Sequence, residues 1–211
     1  MTTISRLASD LSRLGRESDM LDTIVTMMGD DLLDAPSTDG RSRREVVATL
    51  ADSGFALAAA VDAAAGNTPT DTAVPDDARV RYRESNTVFA AAADRLDQLP
   101  DDAAVEHAGV ALQRDDVVGQ RIAEVVLANN VISRVWTLDE ADPDSVLNAL
   151  DAMVRRLESR DDAPSLTLAT LEGDRWELHG GGQEVSGTRE HLAQWLAHGE
   201  ADDLPAVPAW S

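Results

Sequence analysis

The sequence predicts a mainly α-helical protein, in which a bundle of four or five helices over residues 1–160 precedes a small α+β unit over residues 165–211. Three observations lead to this fold class. Apolar residues recur at helical spacing through most of the first 160 residues. Residues 119–138 are apolar on nearly every side, which is typical of a central helix that others cover. After Arg160 the apolar spacing changes to the alternation of β-strands.

The first two helices are predicted over residues 3–29 and 42–65. In the first, apolar residues recur every three or four positions until a run of aspartates and Pro36, and proline cannot continue a helix. The second begins with Ser42 followed by Glu45, which is the spacing of a capping box. Its expected buried face consists of Val46, Val47, Leu50, Leu57 and Val61.

A third helix is predicted over residues 78–99, where a proline follows, and residues 100–116 are expected to form an acidic, irregular segment. The central helix comes next. A fifth helix is predicted over residues 144–160, because Asp142 suits an N-cap and Pro143 suits the first helical position.

The C-terminal part is predicted to contain a β-hairpin and one helix. Residues 165–171 and 175–179 alternate apolar and polar side chains around a short turn, and the glycines at 180–182 indicate a loop. Ser186 is expected to cap a last helix that carries Leu192, Trp195 and Leu196. The four tryptophans of the chain are expected to serve packing rather than a cofactor site.

Composition limits the classes of function. The formal net charge of −21 argues against binding to nucleic acid and to anionic membranes, both of which require positive charge. All 18 basic residues are arginine. Of these, Arg43 and Arg44 are expected to serve solubility or ion pairs, with contact to an anionic ligand as the alternative. The absence of cysteine excludes disulfides and thiolate chemistry. No segment resembles a signal peptide or a membrane span, so we expect a cytoplasmic protein.

Three segments, in order along the chain, resemble one family. DAPSTDGRSRREVVATLA (34–51) resembles the A-P-S…G-W-[ST]-x-x-x-V-x-A-H-L-A segment of mycothiol-dependent maleylpyruvate isomerases, which belong to the DinB-like helical superfamily. RIAEVVLA (121–128) resembles their R-x-x-E-V-x-x-H motif, and SGTREHLAQWLAHGEADDLPAVPAW (186–210) resembles their C-terminal segment. The resemblance implies a DinB-like up-down bundle of four or five helices with a small C-terminal α+β subdomain.

The resemblance also implies three zinc-ligand positions, which in this chain are Thr49, Glu124 and Ala128. Only Glu124 can bind a metal, and zinc requires at least three protein ligands in fixed geometry. Arg41 also replaces a tryptophan that is usual in the family. The histidines are not expected to substitute, because His107 falls in the acidic segment and the others in the C-terminal unit: His179, His191 and His198.

Glu124 therefore has three interpretations: a remnant held by an arginine or by backbone donors, a ligand-binding group in a metal-free cleft, or part of an unusual metal site. We expect a small wet pocket formed by Thr49, Ser53, Glu124, Ala128 and Asn129, with Glu124 at its floor and no metal. The two asparagines that follow in the helix are expected to satisfy neighbouring backbone groups, with contact to a ligand as the alternative.

These observations favour a metal-free, non-catalytic relative of the isomerases that acts as a binding or regulatory module, and they leave enzymatic activity open. One alternative is a mycothiol-dependent isomerase or S-transferase with an altered metal site, for which zinc and mycothiol would be the cofactors. A second alternative is an acidic helical-bundle protein that recognises a basic partner. The partner is predicted to be a small molecule or a protein of unknown identity, without nucleic acid or membrane.

Overall fold

A computed structural model describes most of the chain: residues 6–68, 74–133, 136–199 and 204–210. Within these ranges the chain forms seven α-helices and five β-strands, and the predicted mainly α fold with a C-terminal α+β part is confirmed. The chain divides into two compact units, Met1–Trp136 and Thr137–Ser211. The division falls before the fifth predicted helix rather than after it, so that helix belongs to the second unit.

The first unit is a helical bundle. Its helices are α1 (Arg6–Met27), α2 (Asp30–Asp34), α3 (Arg43–Ala64), α4 (Ala78–Ala93) and α5 (Val117–Ile132). A two-stranded sheet, β1 (Ala104–His107) and β2 (Val110–Gln113), lies between α4 and α5 in the sequence. The side chains that are entirely or almost entirely buried between these elements include Leu21, Val47, Leu57, Tyr82, Phe89 and Ile122.

Side-chain contacts between helices give their directions. Arg81 pairs with Asp52 and Arg95 pairs with Asp62, so α3 and α4 run parallel. In α4, Arg79 donates to the Val25 carbonyl of α1, and Tyr82, further along α4, donates to the Ser18 carbonyl, which comes earlier in α1. These two helices are therefore antiparallel.

Helices α3 and α5 are also antiparallel, because Arg43 at the start of α3 donates to the Ile132 carbonyl at the end of α5. Further along α3, the Leu50 carbonyl accepts from Arg121 in the first half of α5. The four long helices of the bundle are α1, α3, α4 and α5. They run up, down, down and up in that order, so the direction does not alternate at every step.

Helix α3 has the predicted capping box, in which the Ser42 side chain accepts from the Glu45 amide and the Glu45 side chain accepts from the Ser42 amide. Arg44 forms the expected surface ion pairs, with Asp30 and Asp34. Arg43 differs from the prediction, because it is only 2% exposed and donates to backbone carbonyls at the ends of α2 and α5. Burial of its cation is compensated by these acceptors, so it is a structural residue.

Among the described residues, α3 is also long and apolar enough to cross a membrane by length and composition alone, which the sequence analysis did not anticipate. Half of its most apolar segment is buried inside the protein. Because α3 packs against both α4 and α5, its apolar character is that of a core helix in a bundle.

Two predictions around the central helix were wrong. Residues 100–116 are not irregular, because they contain β1 and β2, joined by a two-residue turn in which Ala108 and Gly109 both have positive φ. Helix α5 ends at Ile132 rather than near residue 138, since Ser133 is already extended. Trp136, which was expected within the helix, lies beyond it and is buried. Val135 lies outside the described residues.

The second unit comprises α6 (Pro143–Glu158), β3 (Leu166–Thr170), β4 (Arg175–Leu178), β5 (Gln183–Gly187) and α7 (Arg189–His198). Asp142 caps α6 and Pro143 occupies its first turn, as predicted. The predicted hairpin is present, with Leu166 opposite Leu178. Strand β5 was not predicted from the sequence; it pairs parallel with β3 and gives the order β4-β3-β5.

Helix α7 begins after Thr188, whose side chain accepts from the His191 amide, rather than after Ser186. It buries its three predicted apolar residues, Leu192, Trp195 and Leu196. Helix α6 packs against α7 and β4. Trp176 in β4 donates to the Asp151 carboxylate of α6 at 2.8 Å, so this tryptophan joins the sheet to the helix.

Candidate functional site

Helix α5 carries a cluster of buried polar side chains that is unusual for a core helix. Gln120, Arg121 and Glu124 are separated by one helical turn or less, so they lie on neighbouring parts of the same face. All three are buried, and Arg121 is entirely inaccessible to solvent. Because burying charged groups is costly unless they are paired, the partners of these side chains define the site.

Both carboxylate oxygens of Glu124 accept hydrogen bonds from the protein. Oε1 accepts from His107 Nε2 at 2.9 Å and from Gln120 Nε2 at 3.2 Å. Oε2 accepts from Arg121 Nη1 at 3.1 Å. The arginine partner that the sequence analysis anticipated is therefore present, three residues before Glu124.

These contacts keep Glu124 ionised. Burial alone would raise the pKa of Glu124, but the hydrogen bond from His107 and the charge of Arg121 outweigh burial, and the pKa is lowered from its ordinary value of 4.5. The site therefore contains a buried carboxylate anion surrounded by donors, and the interpretation of Glu124 as an arginine-held group agrees with this geometry.

His107 is the site residue that sequence reasoning missed. It is the last residue of β1, is 7% exposed, and reaches Glu124 from the hairpin that was predicted to be irregular. The signal that could have found it is the alternation of Val105 and His107, followed by Ala108 and Gly109, since a glycine turn after alternating residues is typical of a hairpin. That pattern places both Val105 and His107 on the buried side of the strand.

The proton on His107 can be assigned from its neighbours. An ionised carboxylate can only accept hydrogen bonds, so the Nε2 atom that contacts Glu124 must carry the ring proton. Ser53 Oγ in α3 lies 3.1 Å from the same nitrogen. A protonated nitrogen cannot accept a hydrogen bond. Ser53 Oγ and Glu124 Oε1 therefore both accept from the same N–H group, and the hydroxyl hydrogen of Ser53 points elsewhere.

This arrangement is not a nucleophilic triad. In such a triad the serine and the acid contact opposite nitrogens of the imidazole, which leaves one nitrogen free to take the serine proton. Here Ser53 and Glu124 contact the same nitrogen. His107 therefore has no lone pair directed at Ser53, and the geometry does not activate the hydroxyl as a nucleophile.

Arg121 is fixed by α3 and α4 as well as by Glu124. It donates to the Leu50 carbonyl at 2.8 Å and to Asn86 Oδ1 at 3.0 Å. Helix α3 accommodates it because residue 54 is glycine: a Cβ there would lie 2.8 Å from Nη2 of Arg121. The absence of a side chain at Gly54 is thus part of the site.

The residues of the predicted pocket occupy different places. Ser53 and Glu124 are brought together through His107. Thr49 lies one turn before Ser53 and is exposed, and Ala128 lies one turn after Glu124 and is 8% exposed. Because α3 and α5 are antiparallel, Thr49 and Ala128 lie at about the same level of the bundle, one turn away from the polar cluster.

Asn129 lies on another side of α5, about 140° around the helix axis from Glu124. It is 1% exposed, and neither atom of its carboxamide has a hydrogen-bond partner in the structure described here. The expectation that it satisfies a neighbouring backbone group was wrong. Whether the other four residues line a small wet pocket stays a prediction.

The residues present do not fit the zinc ion that the sequence resemblance implies. Thr49 and Ala128 offer no imidazole, and both oxygens of Glu124 already accept hydrogen bonds from protein donors. His107 and Glu124 together supply two ligands, whereas zinc requires at least three. In the described part of the chain, no three His, Cys, Asp or Glu side chains form a group that could hold a metal ion.

Comparisons with known proteins identify the fold. No protein-family model matches the sequence, and no curated protein matches it. The structure matches the crystal structure of the mycothiol-dependent maleylpyruvate isomerase and that of a histidine-to-alanine mutant of such an enzyme. In both cases the TM-score is 0.68, the identity is 17%, and the match covers 100% of each chain. The resemblance predicted from the sequence is thus confirmed, and over its whole length the chain has the fold of the mycothiol-dependent maleylpyruvate isomerase.

Proposed function

We propose that the protein is a metal-free, non-catalytic relative of the mycothiol-dependent maleylpyruvate isomerases that acts as a binding or regulatory module through the polar cluster that α3, β1 and α5 bring together. One observation carries this proposal: both oxygens of Glu124 are engaged by protein donors, at 2.9, 3.1 and 3.2 Å. Three of the about four lone-pair positions of the carboxylate are thereby occupied, and the position that is left lies on the oxygen that the Arg121 guanidinium faces. Cytoplasmic localisation is part of the proposal.

The charges at the site support it further. Glu124 carries one negative charge, which the Arg121 guanidinium balances within hydrogen-bond distance. A buried charge that is already paired gains little from a cation, and separation of the pair leaves Arg121 uncompensated. The protein groups therefore provide the compensation that a metal would otherwise provide.

Zinc content tests the proposal. The full chain is dialysed against EDTA, titrated with zinc by calorimetry, and measured for bound zinc after gel filtration. We expect well below one zinc per chain. The double variant Thr49→His/Ala128→His is the positive control, because it supplies imidazoles at one level of the antiparallel helices, one turn from Glu124. One zinc per native chain, lost on Glu124→Gln, would overturn the proposal.

A second candidate is the mycothiol-dependent enzyme with an altered metal site. The observation that favours it is the contact between His107 Nε2 and Glu124 Oε1 at 2.9 Å, since two ligand types already meet there. Turnover of maleylpyruvate that requires mycothiol and is abolished by His107→Ala would establish this candidate. We expect no turnover by the native chain.

The net charge of −21 favours a third candidate, an acidic bundle that recognises a basic protein. Such binding would weaken steeply with salt, since interactions between exposed charges are screened. Unlike the first proposal, it would not depend on Ser53, His107 or Glu124. Variants at these three positions therefore separate the two.

A further inference from the structure

Strand β5 lies at an open edge of the sheet in the second unit. The strand order is β4-β3-β5, so β5 pairs with β3 on one side only. The register places Val185 opposite Leu168 and Gly187 opposite Thr170, and the Gly187 carbonyl accepts from the Leu171 amide, directly after β3. Gly187 and Val185, two residues apart, therefore direct their backbone groups towards β3.

The alternate residues of β5 present their backbone groups to the open side. Successive residues of a strand direct N–H and C=O to opposite sides, so those of Glu184 and Ser186 point away from β3. In the part of the chain that the structure describes, neither residue forms a backbone hydrogen bond to a loop, a turn or another element. Both residues are exposed. Their donors and acceptors are thus a template for the pairing of another strand.

Strand β5 lacks the features that commonly block such an edge. Proline, lysine and β-bulges prevent edge strands from pairing further. Residues 183–187 contain no proline and no basic residue. The register with β3 is continuous over all five residues, without a bulge. The other edge strand, β4, is one residue shorter and carries the exposed Arg175, so β5 is the edge better suited to pairing.

The charge around β5 indicates the chemistry of its partner. Glu177 and Glu184 are exposed and lie in one row across the sheet, on either side of Thr167. Arg175 pairs with Glu184 and balances only one of the two charges. Residues 137–211 contain 16 acidic and five basic residues. A basic strand is therefore complementary, whereas a second copy of β5 would bring together two Glu184 side chains on two strongly acidic chains.

We propose that β5 binds an extended, basic segment of a partner protein as a further strand of the sheet. Backbone hydrogen bonds to Glu184 and Ser186 supply affinity, and basic side chains at alternate positions of the added strand lie on the face of Glu184 and supply specificity. This inference goes beyond the proposed function, because it concerns the second unit and does not involve Glu124. It gives the basic-partner candidate a defined binding site.

The test is a titration of the ¹⁵N-labelled full-length protein with the peptide acetyl-TRVRVRT-amide. We expect saturable downfield shifts and slower hydrogen exchange of the Glu184 and Ser186 amide protons, because both N–H groups gain an acceptor. The same peptide N-methylated throughout keeps its charge but cannot pair as a strand, so it should not bind.

Charge reversal at the edge supplies the matched variants. Glu184→Arg should weaken binding of the basic peptide about three- to tenfold, since an attraction between exposed charges becomes a repulsion. Glu158→Arg makes the same change of charge at an exposed residue of α6 and should leave binding nearly unchanged.

Equal binding of the N-methylated peptide would overturn the proposal, because the attraction would then be electrostatic without strand pairing. Absence of binding by the basic peptide, or shifts confined to residues outside β5, would overturn it as well. A dimer of the free protein that Ser186→Pro dissociates would show that β5 pairs with a second copy instead, since proline removes the outward donor. Zinc content plays no part in these measurements, so their failure is distinct from failure of the proposed function.

Discussion

At the scale of single residues, Glu124 has the most specific surroundings in the bundle. We expect Glu124→Gln to lower the free energy of unfolding by about 3 kcal/mol, because the change leaves the buried Arg121 cation without its counter-charge. Urea unfolding monitored by circular dichroism measures this. Glu106→Gln is the control, since Glu106 is an exposed residue of β1 beside His107 and its change should have little effect. A neutral result for Glu124→Gln would contradict the pairing.

The same residue gives a pH dependence whose sign follows from the direction of its pKa. The folded-state pKa of Glu124 lies below its ordinary value of 4.5. The stabilisation is therefore complete above that value and is lost as the pH falls through the lower folded pKa. We expect the stability difference between the native protein and Glu124→Gln to be constant near neutral pH and to shrink below pH 4.5.

Asn129 represents the opposite case, a buried side chain whose amide oxygen and nitrogen have no hydrogen-bond partner in the part of the chain that the structure describes. Replacement by leucine, which has nearly the same shape, should stabilise the protein by about 1–3 kcal/mol, because two unsatisfied polar atoms are removed from the core. The midpoint of urea unfolding measures the change. Asn129→Asp is the informative contrast, since it places an unpaired charge at the same position and should destabilise strongly. A less stable leucine variant would show that the carboxamide is bound within the protein.

The residue-level site could be predicted in part. An arginine partner for Glu124 could be anticipated because every basic residue of the chain is arginine and a buried carboxylate needs compensation. His107 could not be anticipated in the same way. Its role depends on a four-residue strand and a turn that starts with Ala108 at positive φ, where glycine, asparagine or aspartate is usual.

At the scale of elements, the packing of α3 against α5 depends on Gly54. Alanine there would place a Cβ 2.9 Å from Arg121 Cζ and 3.1 Å from Ser85 Oγ. Arg121 is fully buried and hydrogen-bonded, so it cannot move aside cheaply. We expect Gly54→Ala to destabilise the protein by about 1–3 kcal/mol, as overpacking of a core does.

Gly15→Ala provides the control of opposite sign for this experiment. Gly15 is an exposed residue of α1, and a Cβ there would meet nothing within 4 Å. Alanine should therefore stabilise α1 by about 0.5–1 kcal/mol, because glycine costs conformational entropy in a helix. Thermal unfolding of the two variants should thus shift in opposite directions. Equal stabilisation by both would show that Arg121 does not occupy the space beside Gly54.

Element prediction succeeded where a local signal was strong. The capping box at Ser42 and the Asp142-Pro143 start of α6 depend on hydrogen bonds within one turn, so sequence spacing alone reveals them. Strand β5 has no such local signal, because its pairing partner is β3, which is remote in sequence. The end of α5 was misplaced because the apolar spacing continues to Trp136 although the backbone leaves the helix at Ser133.

At the scale of the whole molecule, helical periodicity was sufficient to predict a mainly α fold, because the buried stripes of the bundle helices repeat over many turns. The division after Trp136 was not predictable in that way. Helix α6 is amphipathic like the bundle helices. Its sequence alone therefore does not show whether its apolar face packs on a bundle or, as the structure has it, on α7 and β4. Tertiary contacts decide the unit to which such a helix belongs.

The charge of the whole chain leads to a prediction about salt. The 39 acidic and 18 basic residues leave a net charge of −21, so the negative charges of the folded protein repel one another and destabilise the compact state. Salt weakens this repulsion and also weakens the exposed Arg–Asp pairs, which contribute about 1 kcal/mol each at most. Because acidic residues outnumber basic residues by 21, relief of repulsion should dominate.

We therefore expect the melting temperature to rise by several degrees between 0.01 M and 1 M sodium chloride, as the screening length falls from about 30 Å to about 3 Å. Differential scanning calorimetry at pH 7 measures the rise. The control is the same titration near pH 4.3, the isoelectric point of the sequence, where the net charge vanishes and the salt effect should largely disappear. A melting temperature that falls with salt at pH 7 would show that the surface ion pairs outweigh the repulsion, and the acidic surface would then be stabilising through its arginine partners.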